Sequence, residues 1–114
     1  MTTHDNARRH LPLTPAAFQL LVALADGDLH GYALLKAVER QTDGEIRLST
    51  GTLYGLLNRL LADDIVGERT TGEGRRVYRL TPLGRAVARA EADRLEALLR
   101  TARATRALGR ASSS

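Results

Sequence analysis

The stretch Ser49-Thr50-Gly51-Thr52-Leu53-Tyr54-Gly55-Leu56-Leu57-Asn58-Arg59-Leu60-Leu61-Ala62-Asp63 decides the reading of this chain. Leu53, Leu56, Leu57, Leu60 and Leu61 recur at three- and four-residue intervals, so a helix would gather them into one apolar stripe. The opposite side carries Gly51, Tyr54, Gly55, Asn58 and Ala62. A glycine inside a helix costs about 1 kcal/mol against alanine. Two of them on an outward face therefore suggest that the backbone itself must approach something large. Thr50, Thr52, Tyr54 and Asn58 remain on that side to make polar contacts, and the amides near Ser49 and Thr50 at the helix start suit a phosphate.

Downstream, Ile65-Val66 and the run Arg75 to Leu80 flank Thr71-Gly72-Glu73-Gly74, whose glycines give the backbone freedom that a hairpin tip needs. A β-hairpin is expected, with Arg75 and Arg76 at its tip, where guanidinium groups pair phosphates or enter a minor groove. The competing reading is an edge strand kept soluble by arginine. Thr81-Pro82 then supplies a cap oxygen and a first-turn proline, which predicts a long helix towards Leu108, about 38 Å at about 1.5 Å per residue.

Upstream, Thr14-Pro15 is the same device, and Phe18, Leu21, Val22 and Ala25 recur at helical spacing until Asp26-Gly27. A second helix is expected over 31–42, with Leu34, Leu35 and Val38 inward and Tyr32 and Lys36 four residues apart on another face, placed to touch one phosphate strand. Glu45-Ile46-Arg47-Leu48 alternates as a very short strand would. The order helix, helix, short strand, helix, hairpin, helix is that of a winged helix-turn-helix with an added helix, a mainly α fold with a small β wing. The expected division is a disordered arm over 1–10, a winged helix-turn-helix DNA-binding domain over 11–81, a dimerisation helix over 82–108 and a disordered tail over 109–114.

Composition narrows the chemistry. Sixteen arginines and one lysine against 13 acidic residues leave a net charge of +4, which favours polyanions. Without cysteine there are no disulfides, thiolate metal sites or cysteine nucleophiles. His4, His10 and His30 are scattered away from ligand spacing, so no metal or other cofactor is expected. The adjacent Asp63-Asp64 point apart, and no nucleophile constellation or phosphate-cradling glycine loop occurs, so no catalysis is expected either. Nothing approaches the roughly 20 apolar residues that span a bilayer, which disfavours membrane insertion and leaves a cytoplasmic protein as the expectation.

The final helix predicts the assembly. Leu95, Leu98, Leu99 and Ala102 lie beyond the reach of the winged domain and need a partner, while Arg89, Glu91, Asp93, Arg94 and Glu96 suit a solvated face. A homodimer with two-fold symmetry would set its recognition helices roughly 34–36 Å apart and require double-stranded DNA with inverted half-sites.

Several segments together resemble the PadR family of bacterial transcriptional regulators: Leu13-Thr14-Pro15 with Phe18, Asp26-Gly27, His30-Gly31-Tyr32, Gly51-Thr52-Leu53-Tyr54 with Arg59-Leu60, and Arg75-Arg76-Val77-Tyr78-Arg79-Leu80-Thr81. The likeness spans about residues 11 to 100, and a single helix after the wing is similar to the short-tailed branch. The resemblance implies a sequence-specific regulator that forms a homodimer through its first and last helices and represses until a small effector releases it. It further implies DNA-facing positions at Tyr32, Ser49, Thr50, Gly51, Thr52, Tyr54, Arg75 and Arg76. An effector held between paired last helices would meet Phe18, Leu95, Leu98 and Leu99, an aliphatic wall suited to a small apolar molecule. Asp64 stands where the family places a glycine, which implies left-handed backbone at an aspartate. The alternative reading is a winged-helix module for protein assembly that does not bind DNA.

Overall fold

The structure is a computed structural model that describes residues 3–109. Its elements are α1 (Thr3–Arg8), α2 (Pro15–Ala25), β1 (Leu29–His30), α3 (Gly31–Gln41), α4 (Thr50–Ala62), β2 (Val66–Thr70), β3 (Arg76–Leu80) and α5 (Pro82–Ala104), followed by a 3-10 turn over Arg106–Leu108. Helices begin where a side chain satisfies an orphaned first-turn amide. The Thr14 hydroxyl accepts from the Ala17 N–H at 3.1 Å, that of Ser49 from the Thr52 N–H at 3.1 Å, and that of Thr81 from the Gly84 N–H at 2.9 Å. His30 caps α3 through Nδ1, which accepts from the Ala33 N–H.

The core is one cluster to which every layer contributes. Leu20, Leu21 and Leu24 from α2 meet Leu34 and Val38 from α3, Leu53 and Leu57 from α4, Ile65, Val66 and Tyr78 from the sheet region, and Val87 from α5. Full burial of each such aliphatic side chain contributes about 1.5–3 kcal/mol. At the junction of wing and tail, the Thr81 hydroxyl lies 2.7 Å from the Asp64 carbonyl oxygen and 2.9 Å from that of Ile65. Gly84 lets α5 press against the Ile65 carbonyl, where a Cβ would collide with backbone. Asp64 has φ 59, the left-handed backbone implied for it.

The sheet differs from expectation in one strand. It is antiparallel with the order β1-β3-β2, and its third member is Leu29–His30, paired Leu29↔Tyr78 and His30↔Val77. Residues 45–48 are irregular instead. After α3 the chain turns through left-handed Asp43 and Gly44, and the Thr42 hydroxyl then takes the Ile46 N–H at 3.0 Å, a bond that a ladder would have needed.

The two ends differ as well. The arm expected to be disordered over 1–10 holds α1, which packs on α5 with Ala7 only 1% exposed. Ala86 and Ala90 of α5 pack against the same cluster, and small side chains on both helices permit this approach. Residues 1–2 of that arm, and 110–114 of the expected disordered tail, lie outside the described residues. The long helix stops at Ala104 rather than Leu108.

Candidate nucleic-acid interface

The buried residues of α4 are Leu53, Leu57 and Leu60, so the turns between them face outwards. Thr50, Gly51, Thr52, Gly55 and Asn58 are all exposed there. A Cβ built at Gly51 or Gly55 would meet nothing within 4 Å, so neither glycine is required by packing inside the protein. Their helical cost therefore calls for a reason outside it. Ser49 spends its hydroxyl on the cap and also donates to Thr52 Oγ1 at 2.9 Å.

Tyr54 is placed differently from its expected role as a free contact. Its hydroxyl rests on Gly31, the first residue of α3, and the side chain is only partly exposed at 39%. Tyr32, by contrast, is 67% exposed, with the Lys36 ammonium 5.6 Å from its ring centroid. Lys36 also lies 3.8 Å from Glu39, so its charge is shared between a ring and a carboxylate. Tyr32, Tyr54 and Lys36 thus gather around the start of α3, beside the outward face of α4.

The hairpin tip closes through backbone: the Thr71 N–H donates to the Arg75 carbonyl at 2.7 Å, and the Arg75 N–H to Thr71 Oγ1 at 3.2 Å. This leaves the Arg75 side chain exposed, and among the described residues no carboxylate pairs with it. Arg76 is engaged. The register Thr70↔Arg76 and Glu68↔Tyr78 makes Glu68 its diagonal neighbour, and the two side chains meet at 3.3 Å. The Tyr78 hydroxyl first, and the Glu68 carboxylate second, favour the charged guanidinium and raise its pKa above the ordinary arginine value. Sequence reasoning missed Glu68, whose signal was its placement across a hairpin whose register only the turn fixes.

Of the residues expected to meet an effector, the structure brings together Phe18 and Leu95. They line a cavity of about 380 Å³ with Leu13, Pro15, Glu91 and Arg94. Leu98 and Leu99 lie outside it, about half exposed further along α5. The wall is not purely aliphatic, because Glu91, expected on a solvated face, is 1% exposed. It receives the Leu13 N–H at 3.1 Å and a two-pronged bond from Arg94 at 2.6 and 2.8 Å. The Arg94 guanidinium holds the Glu91 carboxyl below the ordinary carboxylate range; burial opposes this, and the Leu13 amide adds to it. Among the described residues no cluster of three histidine, cysteine or acidic side chains is arranged for a metal, and no helix is long and apolar enough to cross a membrane.

Comparison with known proteins gives a consistent set of relatives. The sequence pattern of the Transcriptional regulator PadR-like family matches residues 20–90. The transcriptional regulator Rv3488 of Mycobacterium tuberculosis is 43% identical over 79 residues, covering 67% of this chain and 71% of that protein. A 37.1 kDa protein in transposon TN4556 of Streptomyces fradiae is 43% identical over 83 residues; the match covers 73% of this chain but spans only 24% of that protein's length. Bordetella bronchiseptica BpsR, solved in a study of how 6-hydroxynicotinic acid regulates its DNA binding, shares the fold with a TM-score of 0.65 at 23% identity, over 87% of this chain and 70% of that one.

Proposed function

This chain belongs to the Transcriptional regulator PadR-like family, and from that premise we propose that it binds double-stranded DNA as a two-fold dimer, with α4 in the major groove. The observation that carries this reading is the open glycine face of α4: Gly51 and Gly55 have no packing partner inside the protein, and exposed Thr50, Thr52 and Asn58 stand beside them. Ser49 and Thr50 offer the helix start to a phosphate. Tyr32, Lys36, Arg75 and Arg76 flank the groove helix as backbone contacts, and Tyr54 acts within the same surface.

In this reading residues 11–81 form the DNA-binding unit and 82–108 the dimerisation helix. Support for pairing comes from the apolar side chains exposed on α2 and α5, namely Val22, Leu95, Leu98 and Leu99. A second copy covers them and spaces the half-sites by about one DNA turn, roughly 34–36 Å. The regulator acts in the cytoplasm as a repressor, released when a small effector with an apolar body enters at Phe18 and Leu95. The regulation of BpsR by a small acid supports ligand control of this fold, and a 380 Å³ cavity is within the range of small-molecule sites.

The test is selection of bound fragments from genomic DNA, followed by a salt titration. A dimer making about six to ten phosphate contacts loses affinity about a thousandfold or more between about 50 and 200 mM salt. A flat salt response, or no selected fragment, would refute the reading in favour of a protein-assembly module. Light scattering on the intact chain and on a chain truncated before Asp93 tests the dimer, which the truncation should abolish.

A further inference from the structure

Gly31 is buried, yet nothing in its backbone conformation demands a glycine, since its φ is not among the positive ones. What demands it is Tyr54. A Cβ at position 31 would overlap the Tyr54 hydroxyl, and would stand 3.0 Å from ring carbon Cζ and 3.5 Å from Cε1. The tip of this ring therefore occupies the space that any other residue at 31 would fill.

Tyr54 also sits three residues after Gly51 and four before Asn58, in the middle of the outward face of α4. One side chain thus joins two of the elements that must be aligned on DNA, the start of α3 and the groove helix. Leaning on Gly31, it fixes how far α4 stands forward of α3.

We propose that Tyr54 is a positioning residue whose hydroxyl end, seated on Gly31, sets the pose of the groove helix, and that Gly31 serves as its seat. This inference rests on the DNA-binding reading above for its consequence, but the seat itself is testable without DNA. Interfaces of this kind lose function when a supporting contact lets the recognition group shift by a fraction of an ångström.

The experiment is a double-mutant cycle of Gly31→Ala and Tyr54→Ala, read first by thermal denaturation at one protein concentration. Gly31→Ala lowers the melting temperature when Tyr54 is present. In the Tyr54→Ala background the same change is neutral or stabilising, because the added methyl group then has room and alanine favours helix. Should Gly31→Ala alone fail to fold, the double variant regains folding. Additive melting shifts, or a double variant that also fails to fold, would overturn the seat.

The second reading uses a DNA fragment selected by the wild-type chain. Each single variant loses about tenfold in affinity, on the scale of one good base contact, and the double variant is no worse than Tyr54→Ala alone. Losses that multiply would overturn the positioning role. Tyr54→Phe keeps the ring but removes the oxygen seated on Gly31, so it weakens binding by about threefold or more with an unchanged salt dependence, and full wild-type affinity would overturn the role given to the hydroxyl. A weaker complex whose salt slope drops by about one phosphate would make Tyr54 a direct contact and also overturn it. If the wild-type chain selects no DNA, the functional reading fails, while the melting cycle still decides the seat.

Discussion

Replacing Gly51 and Gly55 with alanine, singly and together, should make the protein more stable and a poorer binder of DNA. A Cβ at either site meets nothing within 4 Å, so no clash subtracts from the gain in helix propensity. Gly55 lies inside α4 and should return about 0.8–1.0 kcal/mol, whereas Gly51, second in the helix, should return about half of that. The pair then adds about 1.2–1.5 kcal/mol, which for a domain of this size raises the melting temperature by roughly 5–12 °C. Protein concentration must be held fixed, because the proposed dimerisation would contribute to the same transition. On DNA the two methyl groups stand where the backbone should approach the groove. Fluorescence anisotropy on a selected fragment should show a loss of about tenfold or more per site, equivalent to about 1.4 kcal/mol each. Stabilised variants that keep full affinity would remove this face of α4 from the DNA. A lowered melting temperature would contradict the open space from which the gain was worked.

Four further outcomes are expected. Glu68→Gln removes the carboxylate 3.3 Å from Arg76 and should strengthen DNA binding several-fold at low salt, read by the same anisotropy assay; weaker binding would mean that the pair positions Arg76 for DNA. Arg76→Ala should weaken all DNA sequences alike, whereas Asn58→Ala should change the ranking among them in a binding selection, because base edges carry sequence and phosphates do not. Asp64→Gly should stabilise the fold by about 0.5 kcal/mol in urea unfolding, since relief of about 1 kcal/mol at φ 59 is partly offset by the freer unfolded glycine. Glu91→Gln should lower stability at neutral pH and flatten its acid dependence: the folded carboxyl titrates below its unfolded value of about 4.3, so its contribution is present above that pH and is lost as pH falls through the lower folded value.

Features set by neighbouring residues were readable from the chain, and features set by distant partners were not. Thr14-Pro15 and Thr81-Pro82 announced α2 and α5 because a cap and its amide lie three residues apart. The stripe of α4 was legible for the same reason, whereas the left-handed turn at Asp64 was legible only through the family resemblance, which places a glycine there. The strand β1 was invisible, because two residues carry no periodicity and their partners lie almost 50 positions away at Val77 and Tyr78. Alternation over 45–48 pointed to a strand there, but Thr42 had already claimed the Ile46 amide. Helical spacing placed Tyr54 on the outward face correctly while saying nothing of a ring that leans sideways onto Gly31. Glu91 sits among charged residues and reads as solvated; only the return of the chain at Leu13, 78 residues earlier, buries it.

The ion pairs of the proposed DNA-facing side bear on how it discriminates between sequences. In the free protein Arg76 is paired with Glu68 and Lys36 with Glu39, while Arg75 at the hairpin tip has no such partner among the described residues. Pairs this exposed contribute little to stability, so phosphates can displace the carboxylates at small cost. The positive charge is thereby held back until a phosphate strand is close, which weakens attachment to polyanions of the wrong shape. What remains permanently open is the small-residue face of α4, which offers shape and a few hydroxyl and amide groups rather than arginine forks. Recognition should then depend on how closely the helix backbone can lie in the groove, and that distance is set by Tyr54 resting on Gly31. Substitutions that alter the distance should change which sequences are bound, whereas substitutions in the paired arginines should change only how tightly and how salt-sensitively they are held.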